Sequence, residues 1–299
     1  MEPRIKNGWL RAVLFMPIWF FAQAIVQGVG IAVIMISSGV DVSDPAAADA
    51  FVASMQGMSF GSPMMLLMTA LGILSSFAAI WFMMAVVNRE PLMNIGLSVE
   101  NRGKEMLAGL GGALLFIGGI FLILWVLGAI TVTGSVGFKA EVFMVSIMLF
   151  IAAFNEEIVF RGYLLKNMMD ETDNRWIALA GSSVFFALVH SGNPSVWSTW
   201  VPMTELFAAG FILGISYTFT KNLWLPTFFH FGWNFFQGLF GFEISGMGVD
   251  SWKMIAHENT GNVPDVISGG AFGIEGSVVS LCCTILGTYL IFKYYNEKR

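Results

Sequence analysis

Residues 142–165 read VFMVSIMLFIAAFNEEIVFRGYLL. The first thirteen residues are almost wholly apolar, and Asn155, Glu156, Glu157 and Arg161 then appear inside the same run. A membrane helix needs roughly 20 mostly apolar residues to cross about 30 Å of hydrocarbon. A charged side chain near the centre of that layer costs at least about 2.5–3.5 kcal/mol, so such groups normally face a partner or a wet cavity. The stretch therefore reads as a membrane helix that keeps polar groups for a purpose.

The whole chain supports a membrane setting. Of 299 residues, 56% are hydrophobic and 12% charged, against about 45–50% and about 25% in soluble domains. Half the usual charge cannot wet the surface of a compact globule. Disorder, collagen and coiled coil need other compositions, and a net charge of −5 gives no basic surface for nucleic acid. The expected fold class is all-α, a polytopic membrane protein of about eight transmembrane helices. Candidate spans are 12–36, 64–87, 106–131, 142–165, 176–190, 203–220, 223–241 and 274–294. The first is too long for a cleaved signal peptide and reads as a signal anchor.

Loop charge gives an orientation. With the N-terminus inside, Arg4, Lys6, Arg11, Arg89, Arg102, Lys104, Lys166, Arg175, Lys221, Lys293, Lys298 and Arg299 fall on the cytoplasmic side. Only Lys139 and Lys253 fall outside, and Arg161 lies within a span. This asymmetry predicts cytoplasmic N- and C-termini. Segments 37–62 and 242–272 read as outward loops with short surface helices. Three parts follow: residues 1–141 with helices 1–3, a core at 142–241 with helices 4–7, and 242–299 with the last helix. Of the glycine pairs Gly57/Gly61, Gly210/Gly214 and Gly269/Gly273, only the second sits squarely in a span, where it permits close helix approach. The adjacent Cys282 and Cys283 read as packing residues.

Polar residues concentrate in the second half. Span 4 has Glu156, Glu157 and Arg161, span 5 ends with Phe186 and His190, and span 7 contains His230 and Asn234. Glu157/Arg161, Phe186/His190 and His230/Asn234 are each four apart, on one helix face. Glu156 and Glu157 point about 100° apart, which predicts a division of labour. Glu157 pairs with Arg161 while Glu156 faces the cavity, although spacing alone also permits the reverse.

In order, Glu-Glu-x-x-x-Arg at 156–161, Phe-x-x-x-His at 186–190 and His-x-x-x-Asn at 230–234 resemble the CPBP intramembrane protease family. That family comprises the type II CAAX prenyl endopeptidases and bacteriocin-processing and immunity relatives. The resemblance covers residues 143–240. It implies peptide-bond hydrolysis by a glutamate-activated water, with Glu156 as general base and His190 sharing or orienting the water. It also implies His230 and Asn234 as oxyanion donors, Glu157, Arg161 and Phe186 in support, and no required cofactor. A zinc alternative uses Glu156, His190 and His230, leaving an open site for water. The zincin pattern His-Glu-x-x-His is absent, however, and Asn234 is a poor zinc ligand. Expected partners are the lipid bilayer and a peptide or lipidated protein, with no nucleic acid, in the cell membrane of a prokaryote.

Depth is the difficulty. At 1.5 Å per residue, Glu156 falls about 21 Å from the outer end of span 4 and His230 about 10 Å from the start of span 7. His190 falls about 22 Å from the inner face. Convergence then requires span 5 to start later, tilt, or re-enter near Gly192-Asn193-Pro194. Elsewhere, His257 reads as a surface residue, Asp170, Glu171 and Asp173 as a solvated turn, and the Met clusters at 63–68 and 83–84 as adaptable packing. Two competing functions stand beside the protease: a non-catalytic scaffold or immunity protein, and an ion-coupled transporter.

Overall fold

The computed structural model describes residues 2–56 and 60–298, so Gly57 and Arg299 lie outside the described residues. In chain order it contains α1 (Gly8–Ser37), α2 (Pro45–Gln56), α3 (Pro63–Phe82, continued by a π-helical turn Met83–Asn88), α4 (Gly103–Val126), β1 (Ile130–Ser135) and α5 (Glu141–Glu157). A second π-helical segment, Ile158–Leu165, joins α5 to α6 (Lys166–Glu171). Then follow α7 (Arg175–Val189), α8 (Val201–Thr220), α9 (Trp224–Leu239), β2 (Ile255–Asn259), α10 (Asp265–Ser268) and α11 (Val278–Glu297).

Among the described residues, six helices are long and apolar enough to cross a membrane: Gly8–Ser37, Pro63–Asn88, Gly103–Val126, Glu141–Glu171, Val201–Thr220 and Val278–Glu297. Six of the eight expected spans are helices of that length. The other two segments do form helices, but α7 has 15 residues and α9 has 16, short of the roughly 17–25 that a span uses. Phe21, Leu107, Leu115 and Val126 leave more than two-thirds of their surface uncovered by protein, as lipid-facing side chains do. The chain is an integral, multi-pass membrane protein.

All-α is also incomplete, because β1 pairs antiparallel with β2, with an irregularity between Val132 and Gly134. The third span was expected to reach residue 131, but α4 ends at Val126. Gly128 takes φ 66° there, the left-handed conformation that closes helices at low cost in glycine. The β-branched run Ile130-Thr131-Val132-Thr133 then suits a strand. The strand pair overturns the surface reading of His257. Its ring packs 4.3 Å from that of Phe242 and 6.2 Å from that of Phe121, with both nitrogens buried and unpartnered. Burial, with the Lys253 charge adding to it, pushes this imidazole down to about 4.

The turn at 170–173 is more than a solvated one. Glu171 accepts a hydrogen bond from the Gly8 amide at 2.9 Å, and Asp170 pairs with Lys166 at 3.0 Å and Arg11 at 3.5 Å. These contacts tie the start of α1 to the end of α6.

Helix contacts at glycine set the bundle. A Cβ at Gly210 would lie 2.7 Å from the Ser183 Cα, and one at Gly214 would lie 2.7 Å from Leu179 Cδ2. Neither fits, so α8 lies directly on α7, as the 210/214 pair predicted. Gly109 does the same for α4 against α9, where a Cβ would meet the Phe229 nitrogen at 2.8 Å. All eight residues of the second π segment are buried. Ser182 Oγ donates to its Phe160 carbonyl at 2.8 Å, and Asn167 Nδ2 donates to its Tyr163 carbonyl at 2.8 Å. These bonds satisfy backbone groups that an irregular helix leaves exposed.

Candidate active site

The α5–α6 helix and α7 form an antiparallel hairpin through residues 172–174, and this hairpin removes the depth conflict. The fourth span was expected to end at residue 165, but the helix runs through the π segment to Glu171. Glu156 therefore lies fifteen residues before the end of α6, and His190 fifteen residues after the start of α7. Both stand roughly 22 Å from the same turn by helical rise, so late start and tilt are not needed. Helix α7 stops at Val189 with His190 as its cap. The chain then turns irregularly through 190–200 before α8, and the longer α5–α6 helix brings the two levels together without requiring re-entry near Gly192-Asn193-Pro194. Irregular backbone in a membrane protein is tolerated where it is buried or lines a cavity.

At this level the expected residues converge. Glu156 Oε2 lies 3.7 Å from His190 Nε2 and 3.8 Å from His230 Nε2. Glu157 Oε1 accepts hydrogen bonds from Arg161 Nη1 at 2.9 Å and from His230 Nδ1 at 2.8 Å. Glu157 is completely buried and Arg161 nearly so, whereas the Glu156 side chain keeps 30% of its surface. Of the two arrangements that spacing allowed, the structure adopts the one with Glu157 on Arg161 and Glu156 in the cavity. Arg161 Nη2 also donates to the Gly210 carbonyl at 3.4 Å, and its guanidinium lies 4.6 Å from the Phe186 ring centre.

The hydrogen bonds assign the imidazole tautomers. His190 Nδ1 lies 2.7 Å from the Phe186 carbonyl oxygen, which only accepts, so Nδ1 carries hydrogen. His230 Nδ1 likewise donates to the Glu157 carboxylate. In the neutral rings both Nε2 atoms then present a lone pair towards Glu156. Separations of 3.7 and 3.8 Å are too long for direct hydrogen bonds and suit one intervening atom. Glu156 Oε2 and Asn155 Oδ1 are buried without a hydrogen-bond partner.

These groups border a cavity of ≈ 400 Å³ that Phe186, Asn193 and Asn234 also line, the last one helical turn beyond His230. Its remaining wall is mainly apolar, with Trp19, Phe20, Phe60, Met148 and Leu206 among the contributors. Segment 242–277 closes one side. Ser245 and Glu275 reach the cavity, and Glu275 Oε2 accepts from the Ser245 amide at 2.8 Å and its hydroxyl at 2.9 Å.

Two cavity carboxylates escaped the sequence analysis. Glu205 stands alone in the otherwise uncharged run of α8, and that isolation was the available signal. Glu275 gave little, because it is the second residue of the expected span 274–294, where a charge marks only the span's edge. Zinc fits the donor chemistry of Glu156, His190 and His230, and the separations of 3.7 and 3.8 Å between them are a little wider than a closed zinc site has. Bonds of about 2.0–2.2 Å in a tetrahedron bring ligand atoms to roughly 3.4 Å from each other. Among the described residues, no group of three His, Cys, Asp or Glu side chains is placed to hold a metal ion.

No curated protein matches the chain. Residues 138–236 match the family model described as Type II CAAX prenyl endopeptidase Rce1-like, about a third of the chain and the part holding Glu156, His190, His230 and Asn234. Over residues 138–236 the chain is thus similar to the Rce1-like type II CAAX prenyl endopeptidases, in agreement with the family its motifs resemble.

Proposed function

We propose that this protein is an intramembrane endopeptidase that hydrolyses a peptide bond with a water molecule activated by Glu156. The observation that carries the reading is the approach of one unpartnered carboxylate oxygen to two imidazole Nε2 atoms, at 3.7 and 3.8 Å, in a cavity whose wall is mainly apolar. A water held between these three groups would donate one hydrogen to Glu156 and the other to an Nε2.

Glu156 takes the proton as the water oxygen bonds to the substrate carbonyl carbon. Asn234 and His230 face the oxyanion that forms. The Glu157 carboxylate on His230 Nδ1 holds the ring in place and stabilises its doubly protonated form, whose Nε2 hydrogen points at the oxyanion and stays on the ring throughout, while the neutral His190 Nε2 accepts from the water. Collapse of the intermediate breaks the C–N bond, and the proton on Glu156 passes to the leaving amine. Arg161 binds Glu157 rather than substrate, which makes it a positioning residue.

The substrate class is a peptide with a lipidated or membrane-embedded segment, since the cavity wall is largely apolar. A CAAX-type C-terminus follows from the family likeness, and a bacteriocin-like peptide is the alternative. Cleavage of a peptide library by the protein in lipid nanodiscs tests this reading. Glu156→Gln should remove cleavage by at least about 10²-fold with folding intact, because this carboxylate makes no direct hydrogen bond through Oε2. Full activity in that variant refutes the mechanism, and loss of wild-type activity on chelation restores the zinc alternative.

A further inference from the structure

The cavity has a second carboxylate centre for which the proposed hydrolysis has no use. Glu205, in the second turn of α8, is 1% exposed. Its Oε1 accepts hydrogen bonds from Ser280 Oγ at 2.8 Å and from Thr284 Oγ1 at 2.7 Å, both on α11. Its Oε2 is buried with no hydrogen-bond partner, and the residue lines the same cavity as Glu156. A tie between α8 and α11 needs only the first oxygen. The second is a strong acceptor left unsatisfied in an apolar setting, which is unfavourable until a donor arrives.

Charge indicates what kind of donor. Glu156, Glu205 and Glu275 all line the cavity, and no lysine or arginine is among its described lining residues. Arg161 is committed to Glu157. Leu206, Ala209 and Leu213 line the cavity from the same helix as Glu205 and offer apolar surface to the methylene stem of a long side chain.

We propose that Glu205 anchors a substrate subsite for a positively charged side chain, a primary ammonium or a guanidinium, on the peptide cleaved at Glu156. The inference rests on the hydrolase reading for the identity of the ligand. Binding of the cation itself rests on the Glu205 geometry alone. Ser280 and Thr284 orient the carboxylate, and Glu275, just ahead of α11, adds negative charge to the same cavity.

The test uses the full chain in nanodiscs and a set of apolar peptides that differ at one position: lysine, arginine, glutamine or norleucine. Affinity and cleavage are measured separately, so binding is read whether or not a bond is cut. In the wild-type protein the lysine or arginine peptide should bind at least about tenfold tighter than the norleucine peptide at the best position. Glu205→Gln, which keeps an acceptor for Ser280 and Thr284, should erase that preference and leave norleucine binding unchanged. Thr284→Val should reduce it in part.

Equal wild-type affinity for all four peptides overturns the subsite, as does binding of none of them, or a preference that survives Glu205→Gln. Cleavage without any charge preference removes the subsite and keeps the hydrolase. Charge preference without cleavage supports the subsite and removes the hydrolase.

Discussion

Arg161→Met is expected to unfold the protein more readily than any change on the cavity surface, for a reason that can be worked through. The Arg161–Glu157 contact is 2.9 Å long between side chains 1% and 0% exposed. At an effective dielectric constant of about 20, two unit charges at that distance attract by roughly 6 kcal/mol. Most of that gain offsets the desolvation of the two groups. Removing one partner strands the other, and such changes cost about 3–5 kcal/mol. Loss of the contact between the guanidinium and the Phe186 ring, at 4.6 Å, adds about 0.5–2 kcal/mol. The single variants Arg161→Met and Glu157→Gln should each be destabilised by about 3 kcal/mol or more.

The double variant should recover much of this, because neither charge is then buried alone. Its cleavage activity should stay low, since His230 Nδ1 loses its carboxylate. Denaturation in mixed detergent micelles, followed by tryptophan fluorescence, measures all three variants in one cycle. Additive losses in the double variant would refute the reasoning, and so would a single substitution costing less than about 1 kcal/mol.

Three further outcomes follow from particular contacts. Asn234→Ala should lower kcat by about 10²–10³-fold with little change in KM, because its proposed hydrogen bond exists only once the oxyanion forms; steady-state kinetics on a cleaved peptide checks this. Gly210→Val should cost about 1–3 kcal/mol, read as a fall in Tm, because its Cβ would lie 2.7 Å from the Ser183 Cα. Acid should loosen the β1–β2 cap: burial holds His257 at about 4, below the 6.5 of an unfolded histidine. The unfolded chain thus binds the proton more readily, so stability is full above pH about 6.5 and is lost as pH falls towards 4. Replacing His257 with phenylalanine should flatten that profile in thermal melts between these two values, and an unchanged slope would remove His257 as the cause.

Short-range relations were legible without a structure, because a helix turns by the same angle wherever it sits. Four-residue spacing brought Arg161 onto Glu157, His190 onto the Phe186 carbonyl and Gly210/Gly214 onto one face against α7. Composition determined the solvent, since a chain with 12% charged residues cannot wet its own surface. Length was less legible. Hydrophobicity marks where lipid ends and not where a helix ends, so the continuation of α5 to Glu171 and the stop of α4 at Val126 were both misjudged.

What only the tertiary structure decided is every relation between distant residues. The bond from His230 to Glu157 joins positions 73 apart, and the two hydroxyls on Glu205 come from a helix more than 70 residues away. Which of Glu156 and Glu157 faces the cavity depended on where α8 and α9 pack. The sequence by itself determined the residue types, their helical faces and the apolar medium, because those depend on local geometry and transfer energy. Depth, partner and burial belong to the packed bundle, where small residues such as Gly109 and Gly210 let backbones approach and so decide which polar groups meet.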